Sequence, residues 1–186
     1  MLAAYLVDFD GTLADTQEAN FVAYGQALAE VGVHLSRAQF ERDVFGRNWR
    51  QFLPPLLTPD AGHIDPADVA RRKSALYQGA AVHVRFNEAL VHLLANRGPD
   101  VRAALVTSAS RANVQSAMSH RPELMALFDA CVTGDDVTQH KPHPEGFLLA
   151  ARQLNVQAHQ CLVFEDSDIG VQAGEAFGAP VLRVRF

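Results

Sequence analysis

Two aspartates two residues apart, Asp8 and Asp10, lie at the end of an apolar run of Tyr5, Leu6, Val7 and Phe9, and Gly11 follows at once. β-Forming residues cut off by a glycine predict a short buried strand that delivers both acids to its C-terminal edge. In an extended chain, residues i and i+2 leave on one side, so the two carboxylates face one point. Gly11 lets the chain turn there without a Cβ clash. Open α/β sheets bind ligands at that edge. A second acidic pair, Glu165-Asp166, directly follows the apolar run Cys161-Leu162-Val163-Phe164. Two adjacent carboxylates after a strand suit Mg²⁺, a hard cation that takes oxygen ligands and keeps several waters. Each pair taken singly has a plainer explanation, since Asp favours turns and acids favour helix N-termini.

Two more sites carry chemistry-bearing groups. Thr107 and Ser108 follow the apolar run Ala103-Ala104-Leu105-Val106. A hydroxyl there, with neighbouring backbone N–H groups, can hold a phosphoryl oxygen, although Thr-Ser also commonly caps a following helix. Lys141 precedes a proline in His140-Lys141-Pro142-His143-Pro144-Glu145. A residue before proline is held extended rather than helical.

The elements that must position these groups alternate. After the first strand, the stretch from Asp15 to about Tyr77 has helical spacing and no convincing strand. Thr16 can cap a helix over 16–31 that Gly32 ends; Ser36 opens a second that Gly46 closes. Residues 49–57 suggest a third, interrupted by Pro54-Pro55 unless these fall in its first turn. After a loop over 59–66, residues 67–77 suggest a fourth. Then come a helix over 87–96, a strand over 101–106, a helix from Ser110, a strand over 130–133, a helix over 144–154, a strand over 161–164, a helix over 169–176 and a last strand over 180–184. Strands separated by helices imply parallel pairing with right-handed crossovers. The expected fold is therefore α/β: a Rossmann-like three-layer core with a parallel sheet, built from 1–14 and 82–186, carrying an α-helical cap over 15–81.

The full run Asp8-x-Asp10-Gly11-Thr12-Leu13-x-Asp15-Thr16 resembles the nucleophile motif of the haloacid dehalogenase superfamily of phosphohydrolases. Thr107, then Lys141-Pro142-x-Pro144, then Glu165-Asp166-Ser167-x-x-Gly170 resemble its remaining motifs, in the same order. The resemblance spans nearly the whole chain and points to the branch of β-phosphoglucomutases and sugar-phosphate phosphatases, especially small hexose phosphatases such as fructose-1-phosphatase. It implies Mg²⁺-dependent hydrolysis of a small sugar phosphate through an aspartyl-phosphate. In that scheme Asp8 is the nucleophile and Asp10 the acid–base group. Lys141 orients Asp8 and offsets phosphoryl charge, and Thr107 holds a phosphoryl oxygen, with Ser108 beside it as a substrate contact. The metal set is Asp8, the Asp10 backbone carbonyl, Asp166, and Glu165 through water. In the cap, Gly46-Arg47-Asn48-Trp49-Arg50 resembles the segment where an arginine meets the distal end of the substrate. Arg47 and Arg50 both remain candidates, and Lys73 falls where mutase-like members carry a lysine. Solvated helix-face cations explain these three equally well, and Trp49 is expected to be cap core rather than a stacking platform. The chain departs from many relatives at Val84-Arg85-Phe86-Asn87, where they carry Pro-Gly, so the return from cap to core is open.

A sugar-phosphate mutase is the alternative, requiring a second phosphate clamp in the cap. A catalytically silent protein on the same fold is another, against which the complete set Asp8, Asp10, Thr107, Lys141 and Asp166 argues. The formal charge of −5 opposes a nucleic-acid partner, which would call for a clustered basic face. No apolar run of about 18 residues is present to span a membrane. Cys131 and Cys161 each sit in apolar runs and read as buried core thiols, which fits a cytoplasmic setting.

Overall fold

The computed structural model describes residues 1–57 and 64–186. Strands β1 (Ala4–Val7), β4 (Arg102–Val106), β5 (Ala130–Val132), β6 (Cys161–Glu165) and β7 (Val181–Arg183) form one sheet in the order β5-β4-β1-β6-β7, all parallel. Period-two alternation along β1 makes the layers. Ala4 and Leu6 point to one side and pack with Phe147, Ala150 and Leu154 of α7 (Glu145–Leu154) and with Ala173 and Phe177 of α8 (Asp168–Phe177). Val7 points to the other side, toward Leu90 and Leu94 of α5 (Glu88–Ala95) and Val114 and Ala117 of α6 (Arg111–Met118). With both faces covered by helices, the central strands are apolar but for Arg102 at the start of β4 and Glu165 at the end of β6, as buried parallel strands are. The expected three-layer core is present.

The helices between β1 and β4 have an apolar cluster of their own. Tyr24, Ala27 and Leu28 of α1 (Gln17–Ala29), Phe40, Val44, Phe52 and Leu53 of α3 (Trp49–Leu56), and Val69 of α4 (Pro66–Ala80) pack together. Three details differ from expectation. The helix opened by Ser36 runs regularly only as α2 (Arg37–Gln39) and continues through a wider turn over Phe40–Val44 before Gly46 turns the chain in the left-handed region. Pro54 and Pro55 occupy the last turn of α3; they remove two N–H donors just where the helix stops. Third, β2 (Ala14–Asp15) pairs antiparallel with β3 (Arg85–Phe86), so a two-residue ribbon joins the chain's exit from the sheet to its return. The loop expected over 59–66 lies largely outside the described residues.

Cys131 and Cys161 are free thiols, half-buried and buried, on β5 and β6 with two strands between them. No helix among the described residues is long and apolar enough to cross a membrane.

Candidate active site

Register places the chemistry. Val7 pairs with Leu105 on one side and Phe164 on the other, so Asp8, Thr107 and Glu165 leave three adjacent strands at one edge of the sheet. Asp8 is held there by its own N–H, which donates to the Phe164 carbonyl at 3.0 Å. Gly11 then turns with φ +85°, and a Cβ at that residue would stand 2.2 Å from Asp166 Oδ2. Only glycine fits both the backbone conformation and the close approach of that carboxylate.

Lys141 reaches into this edge from the loop before α7. Its three ammonium protons have three acceptors: Asp8 Oδ1 at 2.6 Å, Glu165 Oε1 at 2.6 Å and the Val106 carbonyl at 3.0 Å. All of Lys141, Asp8 and Glu165 are buried. Burial pulls the Lys141 pKa down, but the Asp8 and Glu165 carboxylates outweigh it and hold the ammonium above its ordinary range. Burial pushes Asp8 up, against the pull of Lys141 and with help from Glu165, Asp166 and Asp10. Asp166 is pushed up to about 6 by burial and by Glu165 beside it.

Carboxylate oxygens of Asp8, Glu165 and Asp166 all lie within 4.8 Å of one another. An all-oxygen donor set, with one lysine among several acids, fits a hard divalent cation. Glu165 is the most engaged of the three: Oε1 is on Lys141, and Oε2 accepts from the Asp166 N–H, the Ser167 N–H and the Ser167 hydroxyl. Asp166 Oδ1 accepts from the Thr12 hydroxyl at 3.2 Å, while its Oδ2 has no protein donor among the described residues.

Asp10 lies half-buried at the wall of a cavity of about 610 Å³ between the helical unit and the sheet edge. Its Oδ1 accepts from the Thr16 hydroxyl and from Asn20 Nδ2 at 3.2 Å. Thr16 was expected to cap α1; its side chain makes no capping bond and is spent on Asp10 instead. Asn20 Oδ1 in turn accepts from Lys73 Nζ at 2.7 Å. Lys73 is not a solvated cation: it is 1% exposed, its ammonium over the rings of Tyr24 and Tyr77 at 4.8 and 4.1 Å. Burial draws its pKa down to about 7, partly restored by Asp10.

The remaining residues around the site fall as follows. Thr107 is buried, and its hydroxyl accepts from the Ala109 N–H at 3.0 Å; helix capping at α6 belongs to Ser110, which accepts from the Asn113 N–H. Ser108, Arg47, Arg50, Lys73 and Trp49 all line the cavity. Trp49 packs on the apolar cluster of the helical unit and also lines the cavity, with the Arg50 guanidinium 4.5 Å over its ring. Asp168 is exposed in the first turn of α8, paired with Arg183, while Ser167 caps the helix. His143 is exposed and accepts from the Glu145 N–H at 3.2 Å, whereas His140 is half-buried with an unpartnered Nδ1 and is drawn down by burial and by Arg50. Asn20, Tyr24 and Tyr77 are site residues that sequence reasoning missed.

A profile of haloacid dehalogenase-like hydrolases matches residues 5–184. Fructose-1-phosphate phosphatase YqaB of Escherichia coli is 30% identical over 183 residues, covering 98% of this chain and 96% of that protein. Validoxylamine A 7'-phosphate phosphatase of Streptomyces hygroscopicus is 33% identical over 181 residues, covering 96% and 83%. The crystal structure of CbbY from Rhodobacter sphaeroides in complex with phosphate superposes with a TM-score of 0.90 at 25% identity, over 100% of this chain and 87% of that one. The chain belongs to the haloacid dehalogenase-like hydrolases. Within that family it is a phosphoric monoester hydrolase.

Proposed function

We propose that the protein is a Mg²⁺-dependent phosphatase that hydrolyses a small sugar phosphate through a phosphorylated Asp8. One observation carries the reading: a buried carboxylate at the sheet edge is clamped by Lys141, and a second, Asp10, stands beside it at the wall of a large cavity. Asp8 attacks phosphorus in line and takes the phosphoryl group, which splits one hard displacement into two. Asp10, held by Thr16 and Asn20, protonates the departing sugar oxygen and then takes a proton from the attacking water. Lys141, with every proton directed at a fixed acceptor, stabilises charge as it builds on the phosphoryl oxygens. Thr107 and Ser108 hold the phosphoryl group from the β4 side. Asp8, Asp166 and the Asp10 carbonyl are the residues that would hold Mg²⁺, with Glu165 acting through water, and the bound ion would neutralise the phosphate approaching these acids. The cap over 15–81 and the core from 1–14 and 82–186 would then be the specificity and catalytic parts.

The mutase reading keeps one support. Arg47 and Arg50 line the cavity, and among the described residues neither has a carboxylate partner, which suits a distal anionic group. Lys73, drawn inward to Asn20, is a poor second clamp. The deciding experiment measures phosphate release from a panel of hexose and pentose phosphates with Mg²⁺, beside an assay for interconversion of hexose 1- and 6-phosphates primed with bisphosphate. Release that favours one sugar phosphate and stops with EDTA is the expected result. Interconversion without net release would make the protein a mutase, and release indifferent to EDTA would remove the metal.

Asp10→Asn keeps the acceptor for Thr16 but cannot carry a proton. Turnover should fall by about 10²- to 10⁴-fold, and rapid-quench kinetics should show both formation and breakdown of the phosphoenzyme slowed. A variant slowed in neither would sink the acid–base assignment.

A further inference from the structure

Asn48 is a polar side chain that the chemistry above leaves unused, yet it is 3% exposed. It stands at the N-terminus of α3, and its amide bridges two parts of the molecule. Oδ1 accepts from the Arg50 N–H at 3.1 Å and so caps the helix. Nδ2 donates to the Ser108 carbonyl at 3.1 Å, across the cleft, on the loop that follows β4. One orientation of the amide satisfies both bonds; the flipped one would set oxygen against carbonyl.

The approach depends on a missing side chain. A Cβ at Gly134, in the loop after β5, would stand 2.4 Å from the Ser108 carbonyl oxygen and 2.8 Å from Asn48 Nδ2. Gly134 is itself fixed, its N–H donating to the Ala109 carbonyl at 2.8 Å. Two loops of the sheet edge thus form a seat that one cap side chain fills. The residues on either side of Asn48 are Arg47, Trp49 and Arg50, which line the cavity, and so does Ser108 beneath.

We propose that Asn48 is a positioning residue that docks the helical cap on the loop holding the phosphoryl group. One amide both starts α3 and clasps the Ser108 carbonyl, so docking sets Arg47, Trp49 and Arg50 over the leaving group. This rests on reading the cavity as the sugar-phosphate site. An ester with a large polar leaving group needs the docked cap, whereas one without a sugar reacts at Asp8 without those contacts.

Asn48→Ser separates the two bonds, because a serine hydroxyl caps a helix but is too short to reach Ser108. Asn48→Asp keeps an oxygen to accept from the Arg50 N–H and so caps α3, but it sets its other oxygen, with no proton to donate, against the Ser108 carbonyl. The readouts are kcat/KM for the sugar phosphate that the wild type turns over best, kcat/KM for phenyl phosphate, and acrylamide quenching of Trp49, the single tryptophan. Both variants should lose about 10- to 100-fold on the sugar phosphate and change little on phenyl phosphate, with Trp49 more open to quencher. Equal losses on both esters with unaltered quenching would mean a merely structural role and overturn the proposal. So would wild-type behaviour in either variant. If the wild type releases phosphate from no sugar phosphate, the functional reading fails, and the Trp49 comparison alone still decides whether Asn48 docks the cap.

Discussion

Asp8→Asn should abolish turnover, with kcat down on the order of 10⁴-fold or more, while the protein stays folded. The asparagine is isosteric, and its Oδ1 can still accept from Lys141, so the geometry at the end of β1 survives. What is lost is the charged oxygen that bonds to phosphorus. Stability should hold or rise, and the sign follows from the pKa. Burial raises the carboxyl of Asp8 in the folded protein, so the native state binds that proton more tightly than the unfolded chain. Its contribution to stability is therefore present at low pH and lost as pH climbs through the raised value. A neutral amide does not suffer that loss. Lys141 keeps Glu165 and the Val106 carbonyl. Thermal unfolding at pH 7.5 should show a midpoint within a few degrees of wild type or above it, and acid-quenched protein should carry no phosphoryl group. A variant that unfolds would make Asp8 a structural residue, and one that turns over would remove it as nucleophile.

The parts of the site readable from sequence are those governed by local rules. Asp8, Thr107 and Glu165-Asp166 each follow directly on an apolar strand, and parallel pairing brings strand ends to one edge whatever the register to the nearest residue. The five-stranded sheet is legible because each strand is a compact apolar run bounded by turn residues or by a helix cap. Lys141 was legible as a type and place but not as a contact. That its ammonium spends all three protons on Asp8, Glu165 and Val106 depends on a loop reaching 133 residues back along the chain.

The missing parts are those decided by tertiary packing. Arg71-Arg72-Lys73 reads as a run of solvated cations, and two of the three are exposed. Lys73 alone turns inward, because Tyr24 on α1 and Tyr77 on α4 make a place for it and Asn20 accepts its proton. No periodicity marks such a partner. The β2–β3 ribbon pairs two residues with two, too few to show alternation. Thr16 illustrates a competition: a threonine before a helix satisfies the capping rule, but an aspartate six residues earlier takes the hydroxyl.

Lys141→Met should destabilise the fold as well as stop turnover. The apolar side chain is of similar length, but it leaves Asp8 and Glu165 buried with no cation between them. Breaking a buried ion pair by removing one partner costs about 3–5 kcal/mol, because a desolvated charge is left uncompensated. Glu165 retains its main-chain donors at Asp166 and Ser167, so the larger change falls on Asp8. Loss of the ammonium moves the Asp8 carboxyl further in the direction burial already drives it. The folded variant will then take up a proton at a pH where the unfolded chain has none, so its stability increases as pH falls through that raised value. Denaturant unfolding should therefore show a deficit near that range at pH 8 and a smaller one at pH 5.5. Turnover should be lost at both, since no point charge remains beside the phosphoryl oxygens. A deficit that does not change with pH would show that the cost lies in packing around residue 141 and that the buried carboxylates are neutralised by something other than Lys141.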